Sequence, residues 1–406
     1  MSRFFSSLLE FYRKRSFRGY WFWALFVLVL GSVCGEMLGE DLAWMPFRYR
    51  VYHAFQSLTP RPPTPKLTAL VVIDDKDYWK GPLEHRVPIK RNYLAGLLTA
   101  LSKCRPRAVG IDFDLRSPAP DVPESDLYAG ETEILKREVE RVSADFPVVL
   151  PVSLNPDKGA LVPSILDSIP SRPHAVARGL ISMPYDFRQV PTNERIGGQL
   201  VSSFALALVR EAHPEIARSY EQDPGEFPFG SFASPAAFQS YTLPSRDLIR
   251  GGPEVCRAVD HKLVILAAAW SRTSYGRGGL IDTHDSPVGT VGKYLMHANY
   301  VETLLEEKTY SPLSRGASRA IELFFAFLTL HVLATHWSFP RKLAAVLGMT
   351  LLFAAITYVS FQNLGLFGDF VFPAAFLIVH AVIDYFWDLA AFKAAHPALP
   401  AGGETR

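Results

Sequence analysis

With 406 residues the chain has room for one large or two ordinary domains, and a formal charge of +2 gives no electrostatic case for nucleic acid as a partner. Aromatic residues make up 13% of the chain and gather in apolar blocks at its two ends, which reads as membrane spans around a soluble middle. The three cysteines, Cys34, Cys104 and Cys256, show no CxxC or Cys/His spacing, which argues against a structural zinc cage.

Residues 1–19 form a basic segment. Phe4, Phe5, Leu8, Leu9 and Tyr12 share a helical stripe beside Arg13, Lys14, Arg15 and Arg18, which suits either a short helix on an anionic membrane surface or a simple basic flank. Residues 20–38 are long enough to cross ~30 Å of hydrocarbon, with Tyr20, Trp21 and Trp23 at one headgroup layer. No A-x-A-like site follows, so the expectation is a retained anchor rather than a cleaved signal. From Gly39 to Leu58, the residues Leu42, Met45, Tyr52 and Phe55 suggest an amphipathic continuation, and TPRPPTP (Thr59 to Pro65) reads as a stiff spacer.

The stretch from Leu67 to Leu115 organises the soluble part. LTALVVIDD (Leu67 to Asp75) is a continuous apolar run ending in two carboxylates, as expected of a strand covered on both faces. RNYLAGLLTALSKC (Arg91 to Cys104) spaces its leucines for a helix, and AVGIDFDL (Ala108 to Leu115) is a second buried strand. This β-α-β unit predicts parallel strands, with Asp74, Asp75, Asp112 and Asp114 emerging on one sheet edge. Beyond it the pattern predicts a charged helix over Pro123 to Val142 and a strand over Phe146 to Leu154. Ala177 to Asp186 alternates as an antiparallel strand would, and Leu200 to Ala212 is an amphipathic helix. His213 to Pro235 reads as a loop, His261 to Trp270 as a strand running into a Gly-rich loop, and Met296 to Glu306 as the last helix. Cys104 and Cys256 precede strands expected to be parallel, and a disulfide between them stays open, since it needs those strands to be neighbours.

Three apolar blocks close the chain, over 318–338, 343–362 and 369–391, separated by FPRK (Phe339 to Lys342) and NLGLFGD (Asn363 to Asp369). Four spans put both termini on one side. Arg341, Lys342 and Lys393 join the basic amino terminus there, which makes that side the cytoplasm and leaves 39–317 outside it. The expected fold class is an α/β extracytoplasmic domain with a mostly parallel sheet, plus four transmembrane helices, one N-terminal and three C-terminal.

The residues VVIDD, AVGIDFDL, SSFALAL, KLVILAAA, IDTHDSPVG and HAN (His297 to Asn299), set between one anchor and three closing spans, resemble a type 2 CHASE domain. This is the extracellular sensory module associated with bacterial cyclases and histidine kinases, and the resemblance runs from about Gly39 to Leu389. It implies a periplasmic sensor in the bacterial inner membrane. In that family a kinase or cyclase module usually follows. Here AFKAAHPALPAGGETR follows the last span and is too short for one, so the effector is expected on a separate membrane or cytoplasmic partner.

No GxSxG elbow, P-loop, HExxH or dinucleotide fingerprint occurs at a strand-to-helix junction, so no enzyme is expected, and no cofactor. The acidic edge suits a hard cation or a basic ligand, unless its aspartates serve as loop caps; Arg116, His284 or a bound cation would have to balance it. Asp282 and His284, in the Gly-rich loop, could join that edge, whereas turn-forming roles are the plainer reading, and His297 reads as structural. In the last span His380, Asp384 and Asp388 recur at i+4 as a candidate signalling face, against the alternative of a plain interfacial helix end. The function expected is a multi-pass sensor embedded in the lipid bilayer, responding to an unknown extracytoplasmic ligand, with a homo-oligomer left open. The alternative is a structural or assembly subunit of an envelope complex.

Overall fold

The computed structural model describes residues 45–59, 63–118, 126–155, 157–221, 227–274, 279–314 and 339–368, with isolated positions between 316 and 332 and between 382 and 389. The first expected span, most of 318–338 and 369–391, the two terminal segments, and His380, Asp384 and Asp388 lie outside these residues. The chain divides into two compact units, Tyr52–Tyr310 and the pair of segments Met1–Val51 and Ser311–Arg406.

The first unit begins within helix α1 (Met45–Ser57) and is built on strands β1 (Thr68–Ile73), β2 (Ala108–Asp112), β3 (Val148–Asn155), β4 (Ala160–Val162), β5 (Val176–Leu180), β8 (Thr242–Pro244) and β9 (Leu263–Ala268). Their order is β4-β3-β2-β9-β1-β8, with β5 also on β3; every pair is parallel except β3 with β4. The mostly parallel α/β reading therefore holds. β1, β2 and β9 are buried through nearly their full length, because helices cover both faces and leave no solvated side for polar residues. On one face Ala69, Val71, Ile73, Val109, Ile111, Val264 and Leu266 form a single apolar cluster with helices α2 (Arg91–Ser102) and α3 (Asp126–Val142). Leu94, Leu97, Leu98 and Leu101 of α2 supply its centre, at the helical spacing read from the sequence.

The opposite face is covered by α4 (Phe204–Ala212) and α7 (Lys293–Leu305), with α5 (Ser245–Arg250) and α6 (Pro253–Val259) in the chain between them. Two glycines set how closely α4 approaches. A Cβ at Gly110 would stand 2.5 Å from the Phe204 ring, and one at Gly179 would stand 2.6 Å from the Phe204 Cα. The helix start therefore lies against the sheet where no side chain fits.

Several elements differ from the expectation. β5 is parallel to β3, not antiparallel; its burial does not alternate, and the alternation read from the sequence carried no information on direction. The helix expected from Leu200 begins at Phe204, since Gly197 and Gly198 at positive φ turn a hairpin, β6 (Asn193–Ile196) with β7 (Gln199–Ser202), and Ser203 then caps the helix by accepting from the Leu206 N–H. The Gly-rich loop carries a hairpin of β10 (Thr283–Ser286) and β11 (Gly289–Gly292), and α7 starts three residues before the expected helix. The sequence pattern assigned nothing to β8, α5 or α6, elements of three to seven residues that carry too little periodicity.

β9 lies between β1 and β2, so Cys104, ahead of β2, and Cys256, ahead of β9, arrive at neighbouring strands. They form a disulfide with their Cα atoms 4.6 Å apart.

In the other unit, helix α8 (Phe339–Leu364) contains the segment Pro340–Leu364, which is long and apolar enough to cross a membrane. Leu347, Leu351, Leu352, Ile356 and Val359 project outward from it as a lipid-facing surface requires. The FPRK connection lies inside the helix's first turn instead of forming a loop, since proline is tolerated there, where its missing N–H would be unpaired anyway. At the other end Leu366–Phe367 (β13) pairs in parallel with Ser311–Pro312 (β12).

The disulfide closes 152 residues of chain, a constraint that should contribute about 4–5 kcal/mol by restricting the unfolded state. Alkylation of denatured, unreduced protein should spare both cysteines, and C104S with C256S should lower the unfolding free energy by that order in chemical denaturation.

Candidate functional site

Parallel sheets of this kind open a crevice where helices leaving adjacent strands go to opposite faces. After β1 and β2 the chain passes to α2 and α3 on one face, and after β9 it passes to α7 on the other. The crevice thus falls at the carboxyl ends of β1, β9 and β2. Asp112 is the last residue of β2. It follows Gly110 on the α4 and α7 side of the strand, whereas Val109 and Ile111 belong to the opposite cluster.

Asp112 meets the head of α7. Its Oδ1 is 3.2 Å from the Lys293 ammonium and 3.6 Å from His297 Nε2. Lys293 and His297 stand four residues apart on one helix face. The β10–β11 hairpin closes beside them: Thr283 pairs with Gly292, the Lys293 N–H donates to the Asp282 carbonyl, and the Asp282 carboxylate stands 3.8 Å from Lys293 Nζ. His284 reaches the other Asp282 oxygen at 3.1 Å and packs its ring against Phe187. The His284 hydrogen bond holds the Asp282 carboxyl below its usual range; burial opposes this and Lys293 assists it.

The buried members of the cluster are incompletely satisfied. Neither ring nitrogen of His297 has a well-formed hydrogen bond, the main chain at Ile181 offering only a weak one, and Asp112 Oδ1 makes no hydrogen bond of good geometry. Burial pushes the His297 imidazole down to about 4, against the upward pull of Asp112, so the ring is neutral at ordinary pH. Unsatisfied buried polar groups cost about 1–3 kcal/mol each, and such groups are retained where a site uses them.

The six residues singled out from the sequence divide among several contacts. Asp112 and Asp282 converge on Lys293, and His284 joins through Asp282. Asp74 caps the single helical turn Asp75–Tyr78, accepting from the Lys76 and Asp77 N–H groups, and pairs with Arg246 at 2.6 Å. Burial pushes the Asp74 carboxyl up, but the Arg246 hydrogen bond and the two N–H donors outweigh it and leave the group below its usual range. Asp75 accepts from the Ser271 N–H and hydroxyl, which ties the loop after β9 to the end of β1. Asp114 is exposed and pairs with Arg116. The expected crowd of repelling carboxylates is thus balanced by Arg246, Lys293 and Arg116, and among the described residues no group of three or more His, Cys, Asp or Glu side chains is arranged to hold a metal.

Sequence reasoning missed Lys293 and set His297 aside as structural. A signal existed: Lys293 is the first residue of a helix that has no acid in its first turn, the end where the helix dipole disfavours a cation. A lysine there needs carboxylates from elsewhere, and Asp112 and Asp282 provide them.

D74A removes two capping bonds and an ion pair and should cost about 2 kcal/mol, whereas D114N, at an exposed pair, should stay within about 0.5 kcal/mol; urea denaturation of the two variants checks the contrast.

The family description "CHASE2 domain" matches the chain over residues 12–335. No curated protein and no solved structure matches it.

Proposed function

Because this chain belongs to the CHASE2 domain family, we propose that it is a multi-pass inner-membrane sensor. Its extracytoplasmic domain responds to a ligand at the Asp112–Lys293–His297 cluster and passes the state to a separate partner. The observation that carries this reading is the course of α7. Its head holds Lys293 and His297 at the carboxyl edge of the sheet, and its 13 residues cover about 20 Å, close to the length of β1. At the far end Glu302 Oε1 accepts from the N–H groups of Lys66, Leu67 and Thr68, where the chain enters β1. Along the same helix Asn299 bonds both polar groups of the Ala233 main chain, and Thr303, next to Glu302, does the same at Ser231.

The segment held by α7 is also held by the juxtamembrane helix. Tyr52 and Gln56 of α1 donate to the Gly230 carbonyl, and the Phe232 N–H donates to the Gln56 side chain. Phe229 exchanges main-chain hydrogen bonds with Tyr310, the last residue before the closing segments. A shift of α7 therefore reaches both points at which the chain leaves the domain. Neighbouring polar contacts of this kind are a physical route for coupling when they rearrange together.

The topology belongs to the same proposal: four spans, both termini cytoplasmic, the large domain periplasmic. The disulfide suits an oxidising compartment. The pairing of β12 with β13 supports an outer position for the end of α8, beside the point where the chain returns from the domain, and leaves Arg341 and Lys342 at the opposite, cytoplasmic end. Cysteines placed at Lys66 and Asn363 should react with an impermeant thiol reagent in spheroplasts, and one at Arg341 should not; labelling at Arg341 alone reverses the orientation.

The transmission reading is tested on the full chain in lipid nanodiscs. D112N with K293M removes both charges at the head of α7. Hydrogen exchange at residues 229–233 and in α1 should then change several-fold at pH 7.5. A change confined to residues around 112 and 293 would sink the reading.

A further inference from the structure

We propose that the stimulus is the proton: the polar cluster at the head of α7 is an acid sensor, in which protonation of buried His297 releases that helix end from the sheet. This rests on the reading of α7 as the transmitting element. The cluster is graded in exposure from solvent to core. Side-chain exposure falls from 54% at Asp282 and 30% at His284 to 15% at Lys293, 4% at Asp112 and 2% at His297. The contacts run from His284 to Asp282 at 3.1 Å, Asp282 to Lys293 at 3.8 Å, Lys293 to Asp112 at 3.2 Å and Asp112 to His297 at 3.6 Å. The buried end of the cluster is an imidazole, the side chain that changes charge in the range from pH 5 to 8, and opening of the helix head is what lets a proton from solvent reach it.

The surroundings of His297 fix the consequence. β2 offers it Asp112, its own helix offers Lys293 and the loop before β10 offers Asp282. α4 offers only the Phe204 ring, 4.8 Å away, because its charged Arg210 and Glu211 are engaged with Glu221 and His174. β9 presents Ala267, which lies beside Asp112 in the sheet. A proton taken from solvent onto His297 therefore creates an imidazolium against an aromatic ring, one helical turn from the Lys293 ammonium. Asp112 is then shared by both cations, and Asp282, the other carboxylate, stands 3.8 Å from Lys293 on the solvent side, so the imidazolium stays desolvated. Hydrating the head of α7 relieves this, and the polar contacts at Asn299 and Thr303 carry the displacement toward residues 231–233.

The sign follows from linkage. His297 sits at about 4 in the closed domain and returns toward the ordinary 6.5 once hydrated. Between these values the opened form binds more protons, so the closed form's advantage is complete above pH 6.5 and is lost as pH falls toward 4. The change is at most tenfold per pH unit, or about 300-fold across the window.

The experiment is hydrogen exchange on the full chain in nanodiscs between pH 7.5 and 4.5, with rates normalised for the intrinsic pH dependence of exchange. Normalised exchange in the first two turns of α7 and at 229–233 should rise as pH falls below 6.5, by up to about tenfold per unit. H297Q, or H297M should the first variant not fold, should lose the rise in this window. A flat wild-type profile, or an unchanged slope in the folded variant, overturns the proton as stimulus. The comparison of wild type with D112N/K293M at constant pH judges the transmission reading separately, so failure of one is distinguishable from failure of the other.

Discussion

A helix buried along nearly its whole length, yet carrying His297, Asn299, Glu302 and Thr303, must satisfy each polar group from the elements around it. This constraint fixes how the elements around α7 meet it. Asn299 and Thr303 bind the main chain of residues 231–233, a stretch without regular structure whose own donors and acceptors would otherwise be orphaned in the interior. Glu302 collects three N–H groups at the start of β1, which has no preceding strand residue to pair them. His297, at the carboxyl edge, has no well-formed hydrogen bond at either ring nitrogen, whereas Glu302 leaves one oxygen unpaired but accepts three bonds at the other. Of the four buried polar or charged residues on α7, Asn299, Glu302 and Thr303 are thus tied into the fold, and His297 is not.

The position of β9 governs where that site falls. Had β1 and β2 been neighbours, the first two crossovers would have placed their helices on the same face, and the sheet would have had no crevice at their carboxyl ends. Inserting β9, whose chain continues to the other face, opens the sheet between them. The same insertion brings Cys256 beside Cys104 and allows Ser271, just beyond β9, to hold Asp75 at the end of β1. Disulfide, loop anchor and crevice are three consequences of one topological choice.

That choice was the part of the fold least legible in the sequence. The buried runs of β1, β2, β3 and β9 were readable because strands covered on both faces are written as continuous apolar stretches, and α2 was readable from its leucine spacing. Which strand pairs with which is not encoded in a local pattern. The direction of β5 was misread because alternation marks an exposed rim equally well in either sense, and Gly197–Gly198 outweighed the helical periodicity at Leu200. At the site, carboxylates at strand ends were visible from the strand pattern alone. Their partners Arg246, Ser271 and Lys293 lie 172 to 196 residues away in the chain from the acids they bind, beyond the reach of any spacing argument. Asp112 and Asp74 looked alike in the sequence; packing made one a buried partner of Lys293 and the other a helix cap.

The arrangement around Gly230 then bears on what the domain is for. A domain whose only task was assembly could rest on its anchor through an unstructured spacer, with no polar contacts between the incoming helix and the interior. Instead Tyr52 and Gln56, both buried, spend three hydrogen bonds on the same two residues, Gly230 and Phe232, that flank the contact of α7 at Ser231. Tyr310 closes the set through Phe229. Each hydrogen bond is worth only about 1 kcal/mol net, but leaving any of these buried groups unpaired costs more, so moving one contact carries a cost at its neighbours. Under the sensor reading proposed above, these contacts link α7 to the two places where the chain enters and leaves the domain.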